Sequence, residues 1–342
     1  MPTNLEIAEL LARESEVADT DRRRRALRRA SRHALGWEQE AADVVASGAP
    51  ITTLSAVGPW IAGKIRAWLD DPPERPDPPP ERAGFMTRAE ARRILASSPD
   101  WSSPRADLQV HTTWSDGHAS LDEMVRVAST YGYDHVAITD HSKGLPIANG
   151  MDEPTLAEQG REIARLNRTL DTAGAPIRAL RSLEMNLSPE GDGDMEADAL
   201  ERLDLVLGAF HSKLRVREDQ TRRYVAALRN PRVHVLAHPR GRRWSTRAGL
   251  SADWETVVTA ASETRTALEI DAYPDRQDLD VATLRLAAEA QAWISIGTDA
   301  HYPDELRFLE LGLAAAVEAG IRRERVLNFL PRDDLLAWAR ER

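Results

Sequence analysis

The chain has 342 residues, 42% of them hydrophobic, enough for one large domain plus a small one. It has no cysteine, which excludes disulfides and thiolate metal ligands, and its formal net charge of −10 argues against a general nucleic-acid binder. No run approaches the roughly 18 apolar residues of a membrane span. The charged start MPTNLEIAELLARESE lacks the apolar core of a signal peptide, so the expectation is a soluble cytoplasmic protein with no membrane partner.

Residues 1 to about 70 place apolar side chains at three- and four-residue steps, as in Leu5, Ala8, Leu11 and Ala12, and this predicts helices. Residues 22–32, RRRRALRRASR, form a dense basic stretch within them. Basic charge is nearly all Arg, the lysines being Lys64, Lys143 and Lys213. Arg grips phosphate with a two-pronged fork, so local patches count for more than the global charge. Residues 71–82, DPPERPDPPPER, are a Pro-rich acidic linker that cannot be regular helix. A short helix follows from about Thr87 to Ala96, broken by Ser97, Ser98 and Pro99, so 71–104 reads as linker plus one short helix.

From Arg105 onward, short β-rich runs alternate with amphipathic helical segments. The runs are 107–113, 135–141, 177–187, 203–211, 233–239, 267–273 and 293–301; the intervening helices include 120–131, 155–172, 218–229, 253–264 and 279–291. This alternation implies parallel strands with right-handed crossovers, and seven units predict an α/β barrel that is closed or nearly so. Residues 105–342 form that domain, behind an all-α domain at 1–70.

What ends each strand carries the chemistry. His111 ends the first, Asp140 and His141 the second, Glu184 lies late in the third and His211 ends the fourth. His238 ends the fifth, and Asp299 and His301 end the last. A single strand-end histidine is ordinarily capped or solvated. Five of the nine histidines at the C-terminal ends of strands, with acids beside them, point instead to a metal site on the barrel's active face. Alternation along a strand puts Gln109 with His111, and Asp299 with His301, on one side. Imidazole and carboxylate donors suit zinc, manganese or iron, and Glu184 is placed to bridge two ions. His135 and His234 begin strands and His33 lies on a helix, so all three read as structural. His118 follows S-D-G as loop surface.

These residues resemble the polymerase-and-histidinol-phosphatase (PHP) family. The motifs, in order, are DLQVHTTWSDG, AITDHS, RSLEMNLSP, GAFHSK, VLAHPRG and GTDAH, spanning about residues 105–342. More narrowly, the chain looks like the PHP domain attached to bacterial family X DNA polymerases. There, RALRRASRHAL resembles the Arg-rich helix of the lyase-like domain and LSAVGPWIAGKI (54–65) a helix-hairpin-helix. Ala56 stands where the hairpin's first Gly would be, Pro59 removes a donor, and no polymerase palm is found.

The resemblance implies a distorted (β/α)7 TIM-like barrel with a small all-α helix-hairpin-helix domain before it. It implies two or three divalent ions, manganese first, with zinc or iron as alternatives. His111, Glu184 and Asp299, with Gln109, are implied at one site; Glu184, His211 and His238 at a second; Asp116, His141 and His301 at a third. Gln109 stands where the family usually has His, and its amide is a weaker ligand. Asp140 is expected to orient a ligand histidine, and completes an expected catalytic set with Glu184, Asp299 and His301.

Such ions lower the pKa of a bridging water and neutralise phosphate oxygens. Lys213, Arg240 and Arg243 are candidate phosphate clamps, with Arg276 and Asp271 weaker; Gly58, Lys64, Arg25, Arg28 and Arg29 are candidate DNA contacts. The implied substrate is DNA, at a 3′ end or abasic site. The alternatives are a small-molecule phosphatase, acting on histidinol phosphate or a nucleotide, and a non-catalytic DNA-binding scaffold.

Overall fold

The computed structural model describes residues 1–74 and 77–342; Arg75 and Pro76 of the Pro-rich linker lie outside them. The N-terminal region is a small helical bundle of α1 (Asn4–Glu16), α2 (Asp21–Ala34), α3 (Ala41–Ala46) and α4 (Pro59–Asp70). Thr3 and Thr20 cap the first two helices, each accepting a backbone N–H of the first turn. Ile7, Leu11, Leu27, Leu35, Ile61 and Ile65 close its core. A short helix α5 (Arg88–Ala96) then leads to the barrel.

The barrel strands are β1 (Ala106–Val110), β2 (His135–Ile138), β3 (Arg178–Asn186), β4 (Leu205–Ala209), β5 (Val235–Ala237), β6 (Ala267–Asp271) and β7 (Ile294–Gly297). They pair in sequence order, every pair parallel. The connecting helices are α6 (Leu121–Thr130), α7 (Glu153–Thr172), α8 (Ala197–Leu200), α9 (Thr221–Leu228), α10 (Trp254–Thr264) and α11 (Val281–Glu289); α12 (Leu309–Glu318) and α13 (Arg332–Arg340) complete the shell. Ser120, Asp152, Asp253 and Asp280 cap α6, α7, α10 and α11, so these four strand-to-helix turns end on a side chain that satisfies free N–H groups of the helix. No helix among the described residues is long and apolar enough to cross a membrane.

The ring is nearly closed. At the N-terminal end the Asn328 side chain spans the gap, donating to the Ala106 and Ile296 carbonyls (2.9 and 2.8 Å) and accepting the Ile296 N–H (2.8 Å). At the C-terminal end the chain beyond β7 pairs with β1. The Asp299 N–H reaches the Gln109 carbonyl (3.1 Å), and the His111 N–H reaches that of Ala300 (2.9 Å). This closure brings the first and last motifs side by side. Leu108, Leu180, Leu207, Val235 and Trp338 fill the barrel core.

The strands are shorter than their apolar runs. β1 stops at Val110, β2 at Ile138 and β7 at Gly297, so most of the strand-end polar residues sit in the loops just beyond. Asp299 (φ 53°) and His238 (φ 26°) are in left-handed conformations, so the alternation expected for Asp299 and His301 does not hold. Strained backbone of this kind recurs at functional sites.

The helical region is not loosely tethered. Trp244, from the loop after β5, is buried in the helical core. Its indole N–H donates to Ser31 (2.9 Å), and its ring meets Phe85 edge-on at 5.1 Å. Around the linker, buried Arg82 pairs with Glu9 (2.7 Å) and Glu16 (2.5 Å). Buried Arg88 pairs with Glu38 of the helical region (2.6 Å) and Glu310 of α12 (2.8 Å).

Candidate metal centre

Glu184, fully buried on β3, stands at the centre. One carboxylate oxygen faces His238 Nε2 (2.8 Å) and His211 Nε2 (3.0 Å). The other faces the Gln109 amide (3.1 Å), His111 Nε2 (3.3 Å) and His141 Nδ1 (3.4 Å). Asp299 lies 3.0 Å from His111 Nε2. Asp116 lies 3.3 Å from His301 Nε2 and 3.5 Å from His141 Nε2. Gly117 makes the last placement possible, since a Cβ there would lie 2.6 Å from the Thr112 nitrogen.

Ligand-type atoms converge in three groups, each within 4.8 Å: His111, Asp116, His141 and His301; His141, Glu184 and His211; and His111, Glu184 and Asp299. The groups depart from the three expected sets: His141 takes the place of His238 beside Glu184 and His211, while His238 and Gln109 lie outside the groups and meet Glu184 directly. His111 joins the Asp116 set, and His141 faces Asp116 through one ring nitrogen and Glu184 through the other.

The donor set fits divalent cations. Both ring nitrogens of His111, Nδ1 of His141 and Oε1 of Gln109 are buried without hydrogen-bond partners. Elsewhere the rings are fixed so that Nε2 faces the centre. His211 Nδ1 is held by Asn186 Oδ1 (3.1 Å), and His301 Nδ1 by the Asp299 carbonyl (2.7 Å). That second hydrogen bond is how ligand histidines are oriented.

The field favours positive charge. Burial works to raise the Glu184 carboxyl, yet the surrounding imidazoles, led by His141 and His238, hold it well below the usual range. Burial opposes a proton on His111, but Asp299 and Glu184 raise that imidazole well above its ordinary value. Burial takes His141 down to about 4, leaving it neutral with a lone pair on one ring nitrogen.

Other expected roles are corrected. Asp140 meets no histidine by hydrogen bond among the described residues. It accepts from the Thr112 N–H and hydroxyl (2.8 and 2.7 Å), Ser115 (2.5 Å) and Gln159 (2.7 Å), so it anchors the turn after β1. Arg240 is bound to Asp280 and lines a separate cavity with Pro80 and Phe85, so it cannot clamp phosphate at the centre. Lys213 is exposed and absent from the lining of the mouth. Arg243 does line the mouth, paired with Asp275 (3.2 Å).

Lys64 is tied to Glu14 (2.7 Å). Arg25, Arg28 and Arg29 are exposed on α2, and Gly58 sits at the N-cap of α4. Ala56 keeps the left-handed turn (φ 63°) that a glycine would take freely. His118 stacks on Tyr302 at the rim (4.2 Å). His135 contacts Asp134, His234 Nδ1 accepts the Val206 N–H (2.9 Å), and His33 meets Ser55 (3.2 Å).

Three residues were underrated or missed. Arg276, a weak candidate, reaches Asp299 (3.1 Å) at the mouth. Asn186 lies two residues after Glu184 on one strand, so alternation signals it. Glu269 accepts the His238 N–H (2.6 Å), and only its place on an apolar strand hints at the role.

Residues 107–237 match the family model of the PHP domain. This chain carries a PHP domain. The PHP domain is one of metal-dependent phosphoesterases. The chain is 36% identical over 235 residues to the DNA polymerase/3′-5′ exonuclease PolX of Bacillus subtilis, covering 68% of this chain and 40% of that protein. It therefore spans well under half of the Bacillus protein. It is 29% identical over 237 residues to a probable phosphatase of Syntrophotalea carbinolica, covering 65% of this chain and 90% of that protein. A solved histidinol phosphate phosphatase of Lactococcus lactis matches its PHP barrel loosely, with TM-score 0.49 and 15% identity over 64% of this chain and 95% of that one.

Proposed function

We propose that the chain hydrolyses phosphodiesters at DNA ends or abasic sites, with two or three divalent ions, manganese foremost, held by the nine residues Gln109, His111, Asp116, His141, Glu184, His211, His238, Asp299 and His301. The observation that carries the hydrolytic reading is Glu184, a buried carboxylate between two groups of imidazoles, of which both His111 nitrogens and His141 Nδ1 have no hydrogen-bond partner. When bound, the ions supply Lewis acidity to phosphate oxygens and to water. The chain's own residues do the rest. Asn186 and the Asp299 carbonyl hold the His211 and His301 rings in register. Arg276 neutralises the outer Asp299 oxygen and presents its guanidinium to the mouth. Arg243, tethered by one Nε contact to Asp275, keeps its terminal nitrogens for a phosphate.

DNA as substrate is supported by the 36% identity to the Bacillus protein named as an exonuclease, and by exposed Arg25, Arg28 and Arg29 on α2. The test offers manganese-loaded protein 3′-recessed DNA, abasic DNA and histidinol phosphate. DNA hydrolysis that falls more than about 100-fold in Asp299→Ala supports the proposal. Phosphate release from the small ester alone sinks it in favour of a small-molecule phosphatase. DNA binding without turnover of any substrate favours the scaffold.

A further inference from the structure

The mouth of the metal centre is a cavity of about 560 Å³, rimmed by Asp116, His118 and Tyr302. A second cavity of about 480 Å³ lies where the helical region meets the barrel. The two share Arg243, Tyr273, Asp275 and Glu305, so they lie side by side along one face. Beyond the shared wall, the second cavity is lined by Arg32 and His33 of α2, Ser55 of the hairpin and Arg307 of the barrel. Pockets that enclose a single small ligand span about 300–1,000 Å³. The mouth alone suffices for a small phosphate ester, which leaves the second chamber without a role in such a reaction.

The charges of this chamber are not symmetric in their availability. Asp304 is bound by Arg307 (3.2 Å). Asp275 is bound by Arg243 (3.2 Å), and Glu305 accepts from the Tyr273 hydroxyl (2.9 Å) and the His301 and Tyr302 N–H groups (2.8 and 3.0 Å). The acids are thus engaged. Arg32 is exposed with no ion pair among the described residues, and Arg307 keeps a buried Nε without a partner. Burial, and after it the charges of Arg29, Arg32 and Arg307, hold the His33 imidazole below its usual range, against the opposing charge of Asp275.

We propose that this junction is a subsite for the backbone phosphates of a single nucleic-acid strand whose reacting end lies in the metal mouth, with Arg32, Arg307 and Ser55 as its contacts. The inference rests on the phosphoesterase reading and gives it a length requirement. Two domains build the subsite, which also gives the helical region a task next to the chemistry.

The test measures binding by fluorescence anisotropy, with the full manganese-loaded chain and labelled phosphorothioate thymidylates, a dinucleotide and a hexanucleotide, chosen to resist hydrolysis. The hexamer is expected to bind more tightly than the dimer. The double variant Arg32→Gln/Arg307→Gln is expected to weaken the hexamer about tenfold, and to lower its log-log salt slope by about 1.4, the value for two single-strand phosphates. Ser55→Glu, at an exposed position that tolerates substitution, is expected to weaken the hexamer in the same direction by repulsion. Equal affinity for the two lengths, or unchanged hexamer affinity in both variants, overturns the subsite. Hydrolysis of bis(p-nitrophenyl) phosphate by the unaltered chain is read in parallel. Its absence overturns the phosphoesterase reading, while arginine-dependent hexamer binding would still uphold the strand subsite.

Discussion

At the scale of single residues, the centre depends on groups that hold histidines as much as on the histidines. Asn186 is the clearest case, because its side chain meets His211 through Nδ1, the ring nitrogen turned away from Glu184. Asn186→Ala is expected to weaken metal affinity and activity by about 10–100-fold with little change in melting temperature, measured by metal titration beside thermal unfolding. A second prediction concerns a histidine outside the centre. Burial lowers His234 to about 4, and its Nδ1 accepts the Val206 N–H. Its folded pKa lies below the unfolded value, so its neutral form stabilises the fold above about pH 6.5, and that stability is lost as pH falls toward 4. His234→Gln is expected to flatten the drop in melting temperature between pH 7 and pH 5; an unchanged profile would show that His234 does not titrate in that window.

At the scale of elements, two contacts join parts that the sequence leaves separate. Asn328 ties β7 to β1, and Asn328→Ala leaves buried backbone groups unpaired. A loss of about 1–3 kcal/mol in denaturant unfolding is expected. Trp244 joins the barrel to the helical bundle. Trp244→Ala is expected to cost about 3–5 kcal/mol of the bundle's stability, seen as early proteolysis near residues 71–82 while the barrel resists. Cleavage at the same rate as in the unaltered chain would argue against this joint.

The alternation of apolar runs and helical periods made the barrel legible, because parallel strands buried on both faces read as unbroken apolar segments. The strand ends were not legible. The loops after β1 and β7 are buried too, so the apolar run outlasts the hydrogen-bonded ladder. Trp244 gave no signal, since a lone Trp in a loop has no period. Asp140 was misjudged because its partners Thr112, Ser115 and Gln159 are ordinary polar residues, unmarked by any motif. Arg276 sits in irregular chain between β6 and α11, where spacing carries no geometry.

At the scale of the whole molecule, the nearly closed ring, the loops beyond its strands and the docked helical region converge on one end of the barrel. Trp244 and Phe85 pack in the same helical core, so removing residues 1–82 would expose both and confuse lost binding with lost folding. Point changes at the junction test the role of the helical region more cleanly than truncation. The central claim is that Glu184 is the shared ligand of a multi-ion centre. It is tested most directly by the metal content of the unaltered chain and of Glu184→Gln after equilibrium dialysis against manganese, with matched unfolding curves. Two or three ions per chain, falling to one or none in the variant, are expected. Equal metal content in both proteins, or none in the unaltered chain, would contradict it.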